Sequence, residues 1–221
     1  YRIRKGTNGL APGAFPVFAT NGPTGMNKPR GIAVRPGSGE LYVAEWEDSE
    51  VSWYDTAGTY LNKFNFGYNA NDVAFAGENE MYVVGANYAK RYDWNGTVWT
   101  QAWSVNLGGQ NSMAAEVVNG QLYISLQTDP SKILRVNRSN GAILSSWYSG
   151  GVASTFVPFT GDSRGNLYLS DSLGNSLMAI KVDSNGDPVD FCRLASGTLA
   201  YPGWLVWEQI NHNQGTVIVI K

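Results

Sequence analysis

The sequence predicts an all-β fold, a five-bladed β-propeller of four-stranded antiparallel blades in one domain spanning residues 1–221. Three observations predict it. Short apolar strands recur between Gly-rich corners, and helical periodicity is absent throughout. A Tyr-centred strand occurs four times, as Leu41-Tyr42-Val43-Ala44, Met81-Tyr82-Val83-Val84, Leu122-Tyr123-Ile124-Ser125 and Leu167-Tyr168-Leu169-Ser170. The two chain ends then supply complementary halves of a fifth copy, residues 1–20 and 200–221, which close the ring as one shared blade.

In chain order, Tyr1-Arg2-Ile3-Arg4-Lys5 reads as a third blade strand and Phe15-Pro16-Val17-Phe18 as the fourth. Residues 27–64 form the clearest complete copy. Within it, Pro29-Arg30-Gly31-Ile32-Ala33-Val34 is the first strand and Leu41 to Glu45 the second. Glu50-Val51-Ser52-Trp53-Tyr54-Asp55 is a third strand with period-two alternation, and Thr56-Ala57-Gly58 turns the chain into a fourth. The third strand and its turn return as Arg91-Tyr92-Asp93 with Gly96, Arg135-Val136-Asn137 with Gly141, and Lys181-Val182-Asp183 with Gly186. An Asp or Asn closing the strand and a Gly in the turn is hairpin chemistry. With Gly9, these turn glycines recur every 38–49 residues. Trp204-Leu205-Val206-Trp207 reads as a first strand and Thr216-Val217-Ile218-Val219-Ile220 as a second, which the N-terminal pair completes. A sheet of four short strands cannot bury both faces alone, so each copy needs neighbours.

Composition bounds the function. A 43% apolar and 13% aromatic content excludes general disorder, and a net charge of −2 argues against a basic field for nucleic acid. No apolar run is long enough for a membrane-spanning helix, so no membrane insertion is expected. The chain begins at Tyr1 rather than Met and shows no signal-peptide pattern, so a removed leader or an excised domain is expected. The single cysteine, Cys192, excludes an intrachain disulfide framework and reads as a packed thiol on an outer strand. Few Lys, many Asn, Gly, Ser, Thr, Trp and Tyr, and the sequons at Asn95 and Asn137 suggest a secreted or cell-surface protein.

The run Pro29-Arg30-Gly31-Ile32-Ala33-Val34, then Gly39-Glu40-Leu41-Tyr42-Val43-Ala44-Glu45, resembles the NHL repeat. Gly165-Asn166-Leu167-Tyr168-Leu169-Ser170-Asp171 with Asn175 resembles it in the fourth copy, whereas Gly85 and Leu126 replace the expected acid in the second and third. The resemblance implies a propeller, usually of six blades, with mostly interaction-type roles and some enzymatic relatives; five copies here depart from that number.

The loops entering each first strand and those joining second and third strands share one face of such a ring. These loops are residues 25–30 with 45–49, 69–72 with 85–88, 110–112 with 127–130, 154–156 with 171–175, and 200–204 at the seam. A shallow site rich in amides, acids and aromatic rings suits a glycan or a protein ligand. The expected ligand-binding residues are Arg30, Glu45, Trp46, Asn71, Asp72, Asn87, Tyr88, Gln127, Asp171, Asn175 and Trp204.

Two other classes compete. Glu45 and Asp171 hold equivalent repeat positions and form a candidate carboxylate pair for a polysaccharide- or lactone-active hydrolase or lyase. Ca2+ held by Glu45, Asn71 and Asp171 would assist it, while the lone His212 excludes a His-based zinc site. A structural subunit packing laterally through Trp99, Trp103 and Trp147 is the third class. Neither a nucleophile elbow nor a phosphate-cradling loop occurs.

Overall fold

The computed structural model describes residues 3–4, 17–19, 26–128, 132–148, 159–162, 164–171, 176–196, 205–208 and 217–220. Among them every regular element is a strand. A first hairpin pairs β1 (Ile3–Arg4) with β2 (Val17–Ala19). Four antiparallel sheets of four strands follow. Blade one holds β3 (Pro29–Val34), β4 (Leu41–Glu45), β5 (Glu50–Tyr54) and β6 (Tyr60–Asn65). Blade two holds β7 (Asp72–Gly77), β8 (Glu80–Gly85), β9 (Tyr88–Trp94) and β10 (Trp99–Asn106). Blade three holds β11 (Asn111–Val118), β12 (Gln121–Gln127), β13 (Lys132–Val136) and β14 (Ile143–Tyr148). Blade four holds β15 (Phe159–Gly161), β16 (Asn166–Asp171), β17 (Ser176–Val182) and β18 (Pro188–Ser196). A last hairpin pairs β19 (Leu205–Glu208) with β20 (Val217–Ile220).

This is an all-β architecture of four-stranded antiparallel sheets, consistent with a β-propeller. The first strands β3, β7, β11 and β15 neighbour one another in that order, and β19 lies against β15 and β16. The end hairpins form two separate two-stranded sheets. Residues 1, 2, 5, 216 and 221, on which the expected shared blade also rests, lie outside the described residues.

The repeats fold as their chemistry dictates. Asp55 Oδ1 accepts from Ala57 N at 2.9 Å and Thr59 N at 2.8 Å, and Asp183 Oδ1 accepts from Asn185 N at 2.8 Å and Asp187 N at 2.9 Å. Asn137 Oδ1 holds Ser139 N at 2.8 Å in the same way. Blade four departs from the repeat in one respect. Tyr42, Tyr82 and Tyr123 sit opposite Trp53, Arg91 and Arg135, yet Lys181 sits opposite Asn166 rather than Tyr168. The slip is two residues, which keeps every side chain on its own face.

Blades pack face to face. Tyr42, Val51, Phe66, Val73, Met81 and Val83 fill the space between blades one and two. Tyr82, Val84, Leu122, Ile124, Leu126 and Leu134 fill the next, and Tyr123, Ile133, Phe159, Leu167 and Ile180 the third. Arginines fasten the far face. Arg35 Nε donates to Glu78 O at 2.7 Å, and Arg138 Nε donates to Glu80 Oε1 at 2.8 Å. Arg135 donates to Asn185 O and, at 3.2 Å, to Asp187 Oδ2.

The outer-strand tryptophans are not the exposed rings the sequence suggested. Trp99, Trp103 and Trp147 are half-buried. Trp99 Nε1 donates to Tyr42 OH at 3.0 Å, Trp103 Nε1 donates to Arg138 O at 2.8 Å, and Trp147 packs edge-on to Tyr123. Trp99 and Trp103 bolt one blade to the next, while Trp147 packs on the cluster between blades three and four. Among the described residues, the large exposed apolar side chains of the outer strands are instead Leu61, Ile143, Leu144, Val189 and Phe191. Cys192 lies on the outer strand β18 as expected but is exposed, not packed, because that strand has no neighbour outside it.

Replacing Ile124, fully buried between blades two and three, by Ala is expected to lower the unfolding free energy by about 2–5 kcal/mol in urea denaturation. Ile143→Ala, at a site 50% exposed on β14, should stay within about 0.5 kcal/mol of the parent.

Candidate functional site

The loop face is organised by a continuous line of polar side chains across blades one to three. Arg30, at the start of β3, donates from Nη1 to Asn71 Oδ1 at 2.5 Å. Asn71, immediately before β7, donates from Nδ2 to Ser112 O at 2.7 Å and to Asn111 Oδ1 at 3.2 Å. Asn111, the first residue of β11, donates from Nδ2 to Gln127 Oε1 at 2.9 Å. Each residue sits where a chain enters or leaves an inner strand, so the stacking of blades brings them into line. Arg30 and Gln127 are half-buried, and Asn71 is fully buried. Asn111 was not singled out from the sequence, although its loop was; only the fold shows it joining Asn71 to Gln127.

Trp46 lies beneath two cations, with Arg30 Cζ at 4.7 Å and Lys28 Nζ at 5.2 Å from its ring centre. Lys28 is paired to Glu47 at 3.0 Å. The Trp46 ring is therefore committed to positioning Arg30 as much as to any ligand. Tyr68 and Tyr88 offer a second aromatic feature, stacked with centroids 4.0 Å apart, with Tyr68 37% exposed and Asn106 Nδ2 donating to Tyr88 OH at 3.3 Å. Tyr68 was missed in the sequence because it follows a blade rather than opening one. Asn87 is half-buried, and its carbonyl accepts from Leu107 N at 2.7 Å. The preceding residue, Ala86, holds a left-handed φ of 44°, uncommon without a Gly.

Two acids expected on this face are turned inward. Glu45 is 2% exposed and accepts from Asn27 N at 3.0 Å and from the Ser52 hydroxyl. Burial raises its carboxyl above the usual range, against those hydrogen bonds. Asp72 accepts from Ala115 N at 3.0 Å and lies under β3. Its burial pushes it up to about 7. Glu116, midway along β11, is pushed up to about 8 by burial and by the neighbouring Asp72 charge. It is a lone charge in the apolar run Met113-Ala114-Ala115-Glu116-Val117-Val118, and that was its one sequence signal.

The Glu45, Asn71 and Asp171 calcium set is not brought together by what is described. Glu45 bonds within its own blade, and Asn71 Oδ1 faces a guanidinium, which repels a cation. Asp171 ends β16, but its side chain, like Asn175, Trp204 and His212, lies outside the described residues. Among the described residues no group of three or more His, Cys, Asp or Glu is placed to hold a metal ion.

No protein-family model matches the chain, and no curated protein matches it in sequence. Solved structures do. A calcium-binding protein, regucalcin, from Agrobacterium tumefaciens is 16% identical with a TM-score of 0.64, covering 81% of this chain and 64% of that one. A catalytically inactive virginiamycin B lyase from Staphylococcus aureus with quinupristin is 14% identical with a TM-score of 0.64, covering 80% and 59%. A luciferin-regenerating enzyme is 8% identical with a TM-score of 0.60, covering 77% and 61%. These neighbours are six-bladed β-propellers, and at such identities the likeness shows the fold alone. This chain spans 59–64% of their length.

Asp72 and Glu116 carry folded-state values above those of an unfolded chain, so their contribution to stability is full below about pH 4 and is lost as pH rises through about 7 and 8. Unfolding free energy should therefore fall between pH 5 and pH 9, by about 1.4 kcal/mol for each tenfold change in proton affinity that folding imposes. Glu116→Gln should flatten the profile in a urea-melt series, and an unchanged slope would refute the assignment.

Proposed function

We propose that this chain is a secreted or cell-surface recognition propeller of NHL-like type that binds a glycan on its loop face. The observation that carries this reading is the line Arg30–Asn71–Asn111–Gln127. Planar amides and a guanidinium, held by one another and by the backbone, form a pre-organised hydrogen-bonding strip suited to sugar hydroxyls. The Tyr68–Tyr88 stack supplies apolar ring surface on the same loop system.

The ring in this reading has five blades, the fifth made from the two end hairpins. Supporting it, Val43 and Tyr54 are 1% and 0% exposed although they alternate with the residues that face blade two, so that far face of blade one is covered. Cysteine pairs scanned between residues 3–4 and 217–220 should form an intrachain disulfide in at least one register, read on a non-reducing gel; no bridge in any register would sink the shared blade.

Recognition is tested by a glycan array. Binding should fall by about tenfold or more when Arg30→Ala and Gln127→Ala, both at half-buried positions, are combined in protein that circular dichroism shows to be folded. Unchanged binding in the double variant, or no binding by the parent, would overturn the reading.

A further inference from the structure

The strip on the loop face has a direction, and the direction restricts what can bind. Arg30 is donor-only, so the atom of Asn71 beside it must be the carbonyl oxygen Oδ1, as found at 2.5 Å. The other end of that amide, Nδ2, then points at Ser112 O, a backbone acceptor, at 2.7 Å, and at Asn111 Oδ1 at 3.2 Å. Asn111 is thereby forced to turn its Nδ2 toward Gln127 Oε1 at 2.9 Å and toward Met113 Sδ at 3.3 Å. Gln127 is left presenting Nε2. Every side-chain oxygen in the line already accepts an N–H, and both ends of the line are donors.

The Arg30 end also carries a net charge. Its guanidinium is half-buried, and burial holds it below its usual value. Among the described residues it has no carboxylate partner; its neighbours are an amide oxygen and the face of Trp46. By contrast, Arg35, Arg91, Arg135 and Arg138 each pair with an acid. Partly desolvated arginines lacking an acid are expensive, and the planar fork matches a carboxylate in two-point contact. Lys28, its neighbour over the same ring, is neutralised by Glu47, which leaves Arg30 as the charge on offer.

We infer that the ligand of this strip bears a carboxylate that docks on Arg30, so that within the glycan reading on which this rests the substrate class is an acidic, uronic-acid-containing oligosaccharide. The carboxylate takes the Nε and Nη2 side of the guanidinium not used by Asn71, while Gln127 Nε2 donates to an oxygen further along the ligand. Neutral sugars lack the partner that the buried charge calls for.

The test is calorimetric titration of the full chain with trisaccharides of galacturonic, mannuronic and glucuronic acid, with the carboxyl-reduced trisaccharide of each, and with acetate and glutarate alone. At least one acidic trisaccharide should bind on the order of ten- to a hundredfold tighter than its reduced counterpart. Arg30→Ala should erase that preference and Arg30→Lys restore it in part. Gln127→Glu, which places a carboxylate at the far donor end, should weaken the acidic ligand and spare the reduced one, so a variant at Arg30 that fails to fold leaves the question decidable. Equal binding of acidic and reduced sugars overturns the inference and leaves glycan recognition standing. Binding of acetate or glutarate, dependent on Arg30, with no oligosaccharide bound, upholds the carboxylate site and overturns the glycan. Absence of binding by all of them overturns both.

Discussion

The whole arrangement depends on how closely the inner strands can approach. A Cβ at Gly31 would fall 2.1 Å from Asp72 Oδ1, one at Gly85 would fall 1.9 Å from Asn69 O, and one at Gly161 would fall 2.0 Å from Val118 Cγ2. None of those distances is available to a side chain, so blade one meets blade two at Gly31, blade four meets blade three at Gly161, and the lead-in to blade two lies against Gly85, each a residue that has none. That approach sets the faces within van der Waals reach and lets Tyr42, Ile124 and Leu167 be wholly enclosed. It also decides the site. Asn71 reaches Ser112 O and Arg30 reaches Asn71 only because β3, β7 and β11 converge at one end.

Much of this was legible in the chain. The Tyr-centred second strand and the Asp or Asn that ends the third are short-range signals, and they report local pairing and turn chemistry faithfully. Where the reading failed, the deciding contact was long-range. Trp99, Trp103 and Trp147 look like surface rings on outer strands, yet Trp99 and Trp103 span the gap to a neighbouring blade, Trp99 to a residue 57 positions away, and Trp147 packs on the cluster between blades three and four. Gly85 looks like a degenerate copy of an acidic position. Its place is set by the backbone of Asn69 and Ala70, which leaves no room for a carboxylate.

The site was legible in its members but not in its connections. Arg30, Asn71 and Gln127 belong to the loops that the repeat assigns to one face, and the structure joins them. Asp72 and Glu45 belong to the same loops, but their carboxylates turn into the wall, where backbone and hydroxyl donors hold them. Sequence position predicts which end of a strand a residue occupies. It does not predict which partner each of two adjacent buried polar residues takes, Asn71 bonding along the line and Asp72 to the Ala115 amide.

Two arginine joints on the opposite face are the same joint in successive copies: Arg91 and Arg135 each reach from a third strand to a backbone carbonyl in the turn of the copy after it, those of Arg138 and Asn185. Such head-to-tail joints carry no record of how many units stand in the row. A duplicated copy would find the same latch waiting on its predecessor and would offer the same latch to its successor. Growth or loss of whole units is thereby mechanically simple for a chain of this kind, whereas trimming half a unit leaves a clasp with nothing to close on.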